Sequence, residues 1–385
     1  MLNFEFQNPT RIVFGQGKVA DLARLVPPEA RVLVLYGGAS ARKTGTLDEV
    51  LAALTGRTVT EFGGIEPNPT YETLMRAVEQ VRAEKIDFLL AVGGGSVIDG
   101  TKFVAAAAGF DGEPWDILLQ RGRNVQRAVP MGAVLTLPAT GSEMNNGGVV
   151  TRKATQAKLS FSSPHCFPLF SILDPTKTYT LPREQIANGI ADAFVHTMEQ
   201  YLTYPVQALA QDRFAEGLLQ TLVEIAPGAL AETPDYDNRA NLMWTATLAL
   251  NGLIGAGVPQ DWATHMIGHE LTALYGIDHA RTLAIVLPSL MDSQREAKRE
   301  KLLQYAERVW RITEGSEAER IDAAIERTRG FFESLGIRTR LSGYGLGAEA
   351  VDAVVAQLTA HGMLKLGERR AITPEVSHAI LTAAL

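Results

Sequence analysis

Ile86 to Val92 (IDFLLAV) runs directly into Gly93-Gly94-Gly95-Ser96, and an alanine-rich stretch then continues to about Ala108. A short, continuous apolar run bounded by glycines reads as a strand buried on both faces, and such strands belong to parallel sheets covered by helices. The same grammar recurs on either side. Arg31 to Tyr36 (RVLVLY) reads as a buried strand, followed by Gly37-Gly38 and a helix from about Thr46 to Leu54. Thr58 to Phe62 is a short strand, and Asn68-Pro69-Thr70 caps a helix reaching about Glu84. Met131 to Leu137 is a further strand, running into Pro138-Ala139-Thr140-Gly141-Ser142-Glu143. Strands alternating with helices in this way imply an α/β unit with a parallel sheet and helical crossovers. Ahead of it, Phe4, Phe6, Ile12, Val13 and Phe14 around Asn8-Pro9-Thr10 predict two strands joined by a turn.

After Asp174-Pro175 the pattern changes. From Pro182 onward nearly every segment has helical spacing, with joints marked at Pro205, Pro227, Pro234, Gly257, Pro288, Gly315, Gly336, Gly343 and Gly347. The expected division is therefore an α/β domain over 1–178 and an all-α domain over 179–385, two domains being what 385 residues ordinarily make. A net charge of −7 without a basic run excludes a nucleic-acid binder of the usual kind. The single cysteine, Cys166, excludes an internal disulfide framework and fits a reducing compartment. The first fifteen residues lack the apolar core of a signal peptide, and the longest apolar run, Thr282 to Met291, is far short of a membrane span. These features lead us to expect a soluble cytoplasmic protein.

Three of the seven histidines, His265, His269 and His279, lie within 15 residues. His265 and His269 are four apart in a helical segment, which puts both imidazoles on one face, and His279 follows a Gly276-Ile277-Asp278 turn. A second i,i+4 pair, Asp192 and His196, lies on the side of its helix opposite the apolar stripe Ile186, Ile190, Phe194 and Tyr201. That side faces either solvent or a cleft, and Glu199 nearby suits solvent. One carboxylate and three imidazoles are a fitting shell for a divalent transition metal, iron or zinc, with one histidine left over. The competing reading is that these are ordinary hydrogen-bonded histidines.

Glycines where a strand hands over to a helix let the backbone approach a pyrophosphate, and the helix start supplies N–H groups. Gly93 to Ser96 meets that description, although it is not the usual GxGxxG fingerprint and a tight turn also favours small residues. After the first parallel strand an NAD site would want an acidic side chain for the ribose 2′-hydroxyl. None is present before Asp48; instead Ser40, Arg42 and Lys43 offer donors and positive charge suited to a 2′-phosphate.

Taken in order, Asn8 to Gly15 (NPTRIVFG), GGGSVID (93–99), TLPATGSE (136–143), DAFVH (192–196) and HMIGHELTALYGIDH (265–279) resemble the iron-containing (group III) alcohol dehydrogenase family over essentially the whole chain. FGGIEPNPTYETLM (62–75) and GLIGAGVPQDWATHM (252–266) resemble its NADPH-dependent aldehyde reductase and butanol dehydrogenase branch. The resemblance implies an N-terminal Rossmann-like domain, a helical C-terminal domain, a site in the cleft between them, and a homodimer in which residues 3–15 are a candidate contact. It places the metal ligands at Asp192, His196, His265 and His279, and gives His269 a part in proton transfer. It places the cofactor, NADP(H), against Gly94, Gly95, Ser96, Asp99, Thr136, Thr140, Asn145 and Lys158. Gly38 stands where NAD-preferring members carry an aspartate, which favours NADP at a loop that also includes Gly37, Ser40 and Lys43. The implied activity is metal-dependent hydride transfer between NADP(H) and an aldehyde or primary alcohol. The alternatives are a polyol dehydrogenase or dehydroquinate synthase-like lyase on the same scaffold, or a non-catalytic nucleotide-binding protein.

Overall fold

The computed structural model describes residues 1–385, with eight strands between Arg11 and Leu173. They are β1 (Arg11–Phe14), β2 (Arg31–Tyr36), β3 (Thr58–Phe62), β4 (Phe88–Gly94), β5 (Met131–Leu137), β6 (Gly147–Arg152), β7 (Ala157–Ser162) and β8 (Phe170–Leu173). Six form one sheet in the order β1-β8-β5-β4-β2-β3, parallel throughout, while β6 and β7 pair separately as an antiparallel ribbon. Alternation along the strands sets the layers. Val32 and Val34 of β2, with Leu90 and Val92 of β4, pack on Leu47 and Val50 of α1 (Thr46–Ala53). Leu33, Leu35, Leu89 and Ala91 point the other way, onto Leu74, Val78, Ile98 and Phe103 of α2 (Tyr71–Glu84) and α3 (Gly95–Ala108). Burying each such side chain contributes about 1.5–3 kcal/mol, which is why these strands read as unbroken apolar runs.

The chain leaves β2 for one edge of the sheet, at β3, and leaves β4 in the opposite direction, towards β5. β2 and β4 are hydrogen-bonded neighbours, Tyr36 opposite Val92, so Gly37-Gly38 and Gly93-Gly94-Gly95 emerge beside each other at the carboxyl edge. In open α/β sheets ligands bind at such a reversal.

The second half is helical. It comprises α4 (Arg183–Tyr201), α5 (Leu209–Ala229), α6 (Tyr236–Ala249), α7 (Ala263–Tyr275), α8 (His279–Ser293), α9 (Arg299–Arg308), α10 (Glu317–Ser334), α11 (Ala348–Ala360) and α12 (Pro374–Ala383). Two units result. The α/β unit holds Gln7–Pro182 together with Pro234–Thr247, and the helical unit holds Met1–Phe6, Arg183–Thr233 and Leu248–Leu385. Within the helical unit, Ala263, Ile267 and Leu271 of α7 pack on Ile285 and Val286 of α8, Val351 and Val354 of α11, and Ile380 and Leu381 of α12. Those three positions are four apart and form one stripe. His265 and His269, offset by two residues, project from the other side of α7.

Three details differ from the sequence reading. Residues 1–10 contain no strand: Phe4 and Phe6 lie beside Gly257 and Gly252, but no strand ladder forms there, and only β1 forms, paired with β8 from Arg11 opposite Phe170. Pro227 and Pro288 lie inside α5 and α8 rather than at joints. A helical proline forgoes one backbone bond, which the buried packing around Pro288 offsets. The β6–β7 ribbon and β8 were not foreseen, the ribbon being too polar and β8 only four residues long. No helix is long and apolar enough to cross a membrane.

Candidate functional site

α4 is buried along almost its whole length from Ile186 to Tyr201, so its polar side does not face water. Asp192 and His196 lie one turn apart there and are 3% and 4% exposed. His265 and His269 project from α7, both buried. Gly276, with φ of 68°, ends α7 in the left-handed conformation that glycine tolerates, and the chain turns so that His279 begins α8. These elements surround one carboxylate oxygen. Asp192 Oδ1 lies 3.6 Å from His196 Nε2, 3.9 Å from His265 Nε2 and 3.7 Å from His279 Nε2. It is buried and accepts no hydrogen bond.

The geometry discriminates between the two readings of these histidines. Hydrogen-bonded pairs would stand about 2.7–3.2 Å apart. Ligands held about 2.1 Å from a tetrahedral ion stand about 3.4 Å from one another. The separations from Asp192 Oδ1 lie nearer the second arrangement, and the donor atoms of Asp192, His265 and His279 all lie within 4.8 Å of one another, with His196 beside the carboxylate. A carboxylate with imidazole nitrogens is a donor set that both iron and zinc accept. The residues present therefore fit a divalent metal. The His269 ring centre is 5.1 Å from that of His279 and 6.1 Å from that of His265, placing it against the same cluster.

Of the two settings the sequence leaves open for this side of the helix, solvent or cleft, the structure excludes solvent: Glu199 is 3% exposed and lies against His265. Its carboxylate contacts His265 Nδ1 and accepts the His265 backbone N–H at 3.2 Å. Burial, then the neighbouring Asp261 charge, raise the Glu199 pKa well above the usual carboxylate range. When ionised, as a bound divalent cation would favour against that burial, the Glu199 carboxylate on Nδ1 holds the imidazole in the tautomer whose Nε2 lone pair is available to a metal. Glu199 follows Asp192 and His196 at i+7 and i+3, so the signal was an acidic residue on the same face of an otherwise apolar helix. Replacing such an outer partner lowers metal affinity about 10–100-fold, and we expect that loss for Glu199→Gln, read by competition with a chromogenic chelator. Unchanged affinity would show that Glu199 does not orient His265.

Asp261 supports the same region. Its backbone N–H donates to Glu199 O at 2.8 Å, and its Oδ1 accepts the Ala263 N–H at the start of α7. Lys298 Nζ, buried, lies 2.8 Å from Asp261 Oδ2 and donates to Glu368 at 2.9 Å. None of these three was singled out from the sequence.

In the α/β unit, a Cβ at Gly93 would lie 2.6 Å from Val97, one at Gly94 2.9 Å from Leu137, and one at Gly95 would collide with Thr140. The junction of β4 and α3 is thus pressed against the end of β5 and the first turn of α3, and its own packing already requires the glycines. The opening of α3 has Gly94 as N-cap with no side-chain cap, so first-turn N–H groups lack an intrahelical acceptor. That is a fitting anion site. Ser96 Oγ accepts the Asn68 N–H at 3.3 Å, and Lys158 Nζ, buried on β7, donates to Asn68 Oδ1 at 2.9 Å. Thr136 lies near the end of β5, and Thr140 Oγ1 accepts the Ser142 N–H at 3.2 Å. Both Asp99 oxygens are engaged internally, Oδ1 by Ser142 Oγ at 2.5 Å and Oδ2 by the Val149 N–H at 2.9 Å. Burial raises the Asp99 pKa, and burial lowers that of the adjacent Lys102 to about 8. After β2, Gly37 O accepts the Gly64 N–H, Gly38 is open, and Ser40 and Lys43 are exposed. Arg42 differs from the sequence reading in being committed to Glu61, 2.6 Å away.

The fold is a Rossmann-like α/β unit followed by a helical unit carrying a group suited to a metal. The chain belongs to the iron-containing alcohol dehydrogenase family: residues 9–175 match the family's model of that name, and residues 186–385 match the Fe-containing alcohol dehydrogenase C-terminal model. It is 62% identical to the NADPH-dependent aldehyde reductase YqhD of Escherichia coli K12, over the whole of both chains. It is 40% identical to the probable NADH-dependent butanol dehydrogenase 1 of Bacillus subtilis 168, again over the whole of both. The crystal structure of E. coli K-12 YqhD superposes with a TM-score of 0.99 at 61% identity, covering 100% of this chain and 99% of that one.

Proposed function

We propose that this protein is an NADPH-dependent aldehyde reductase of broad specificity, interconverting aldehydes and primary alcohols. The observation that carries the reading is the Asp192 carboxylate oxygen within 4 Å of three imidazole Nε2 atoms. Whole-length similarity to a protein named for that activity supports it. Asp192, His196, His265 and His279 would hold the metal, which supplies Lewis-acid polarisation of a carbonyl oxygen. Bound NADPH would supply the hydride, leaving the protein to align the partners and stabilise charge. Glu199 keeps His265 aimed, and His269 hands on the proton that the alcohol oxygen gains. The N–H groups of Gly94, Gly95 and Ser96 hold the diphosphate. Ser40 and Lys43 take the 2′-phosphate, while Thr136, Thr140, Asn145 and Lys158 serve the ribose and nicotinamide. Asp99 contributes by holding Ser142 and Val149 in place.

We further propose a homodimer, for which the exposed Leu2, Phe4, Phe6 and Phe14 offer apolar surface near the start of the chain. A cytoplasmic location is supported by a lone, buried, unpaired cysteine.

The test follows the near-ultraviolet absorbance of NADPH with butanal, using protein purified without added metal. The expected result is stoichiometric consumption of NADPH, loss of turnover on chelation, and recovery on adding back ferrous iron or zinc. A dehydroquinate synthase-like lyase would consume no net NADPH, and a non-catalytic nucleotide binder would bind it without oxidation. Either outcome, or full activity after complete metal removal, would overturn the reading.

A further inference from the structure

Lys102 lies two turns into α3, wholly buried, in a helix otherwise rich in alanine. Its ammonium has three protons and spends all three on one loop: Ser142 Oγ at 2.9 Å, Asn145 Oδ1 at 2.8 Å and Gly147 O at 2.7 Å. Asn145 Oδ1 also accepts the Gly147 N–H at 3.0 Å, and its Nδ2 donates to Gly141 O at 3.0 Å. An asparagine amide is normally ambiguous in orientation. Here a cation fixes the oxygen end, because a flipped amide would point its NH₂ at an ammonium. Asp99, one turn earlier on α3, holds the same loop through Ser142 and Val149. The first turn of α3 is the proposed diphosphate site, so a single rigid helix joins that site to the 141–147 loop.

We propose that Lys102 is a positioning residue that sets the 141–147 loop, and Asn145 in particular, for the nicotinamide half of the cofactor. This rests on the reading above that places Asn145 and Thr140 at that half. Lys102 does not touch the cofactor; it acts through Asn145. A buried lysine present only to stabilise the fold would affect both halves of the cofactor alike, through the shared α3. A lysine that sets the loop affects one half and spares the other.

The measurement is the dissociation constant of the full-length, metal-loaded protein for two probes: NADPH, and 2′-phospho-ADP-ribose, which lacks the nicotinamide. Lys102→Met is expected to weaken NADPH about tenfold or more, since three acceptors lose their donor, while 2′-phospho-ADP-ribose stays within about twofold. Ser142→Ala removes one acceptor of Lys102 and the donor to Asp99 Oδ1, both ties of α3 to the same loop, and leaves the ammonium in place, so the same selective loss is expected at about threefold. It decides the matter should Lys102→Met fail to fold. Equal weakening of both probes in the folded variants, or no weakening of either, overturns the positioning role. Should the unmodified protein bind both probes with equal affinity, the nicotinamide half makes no productive contact, and the underlying reading of Asn145 falls together with the proposal.

Discussion

His265→Ala is expected to yield a folded protein with far less than one bound metal per chain and aldehyde reduction slowed about a thousandfold or more, the loss of several kcal/mol of charge stabilisation. The substitution removes one of three imidazoles around Asp192 Oδ1 and also the group that Glu199 orients. The His265 ring stacks on that of His196, centres 4.7 Å apart, and Trp262 packs edge-on against it at 5.3 Å. The change therefore opens a space beside the remaining ligands as well as taking a donor away. The main core of α7 is untouched, since Ala263, Ile267 and Leu271 lie on its other side. Far-ultraviolet circular dichroism is expected to be unchanged for that reason. Metal analysis and NADPH oxidation, measured on the same preparation, check the result. A variant that stays fully metallated with ordinary turnover would remove His265 from the ligand set.

How far the sequence disclosed this arrangement depends on where each residue's signal lay. β2 and β4 were legible because strands buried on both faces have no polar alternation to disguise them. Asp192, His196, His265 and His269 were legible as i,i+4 pairs, but spacing within a helix says nothing about which two helices meet. Only the fold brings Asp192 to His265 and His279. Glu199 was visible but left solvent and cleft both open, because a lone acidic residue on a helix usually marks the wet side. Lys102 carried a weaker sign of the same kind, a lysine three residues after Asp99 in an apolar helix. Lys298 and Glu368 carried none, since their partners are distant in sequence. The segment before Arg11 looked like a strand by composition, yet a strand needs a neighbour to hydrogen-bond, and composition does not supply one.

Gly38→Asp is expected to turn cofactor preference from NADPH towards NADH. Gly38 follows β2 at the carboxyl edge, where an acidic side chain in NAD-binding folds takes the ribose 2′-hydroxyl. Nothing lies within 4 Å of a Cβ built there and the residue is not in the left-handed region, so aspartate fits without strain. Its charge would meet the 2′-phosphate of NADPH directly. Two like charges about 4 Å apart near a protein surface repel by up to about 4 kcal/mol, less in salt, so a 10–100-fold loss for NADPH is the working expectation. NADH carries a hydroxyl at that position and gains a hydrogen-bond acceptor. Lys43→Ala is expected to remove positive charge that the 2′-phosphate would meet, and so to weaken NADPH by a smaller factor without helping NADH. Arg42→Ala should discriminate less than either, because Arg42 is already spent on Glu61. Steady-state kinetics with both cofactors at two ionic strengths separate these cases. The NADPH penalty of Gly38→Asp should shrink as salt rises, since exposed charges are screened within about 10 Å at 0.1 M. Equal losses for NADPH and NADH, insensitive to salt, would mean that the loop after β2 does not carry the 2′-phosphate.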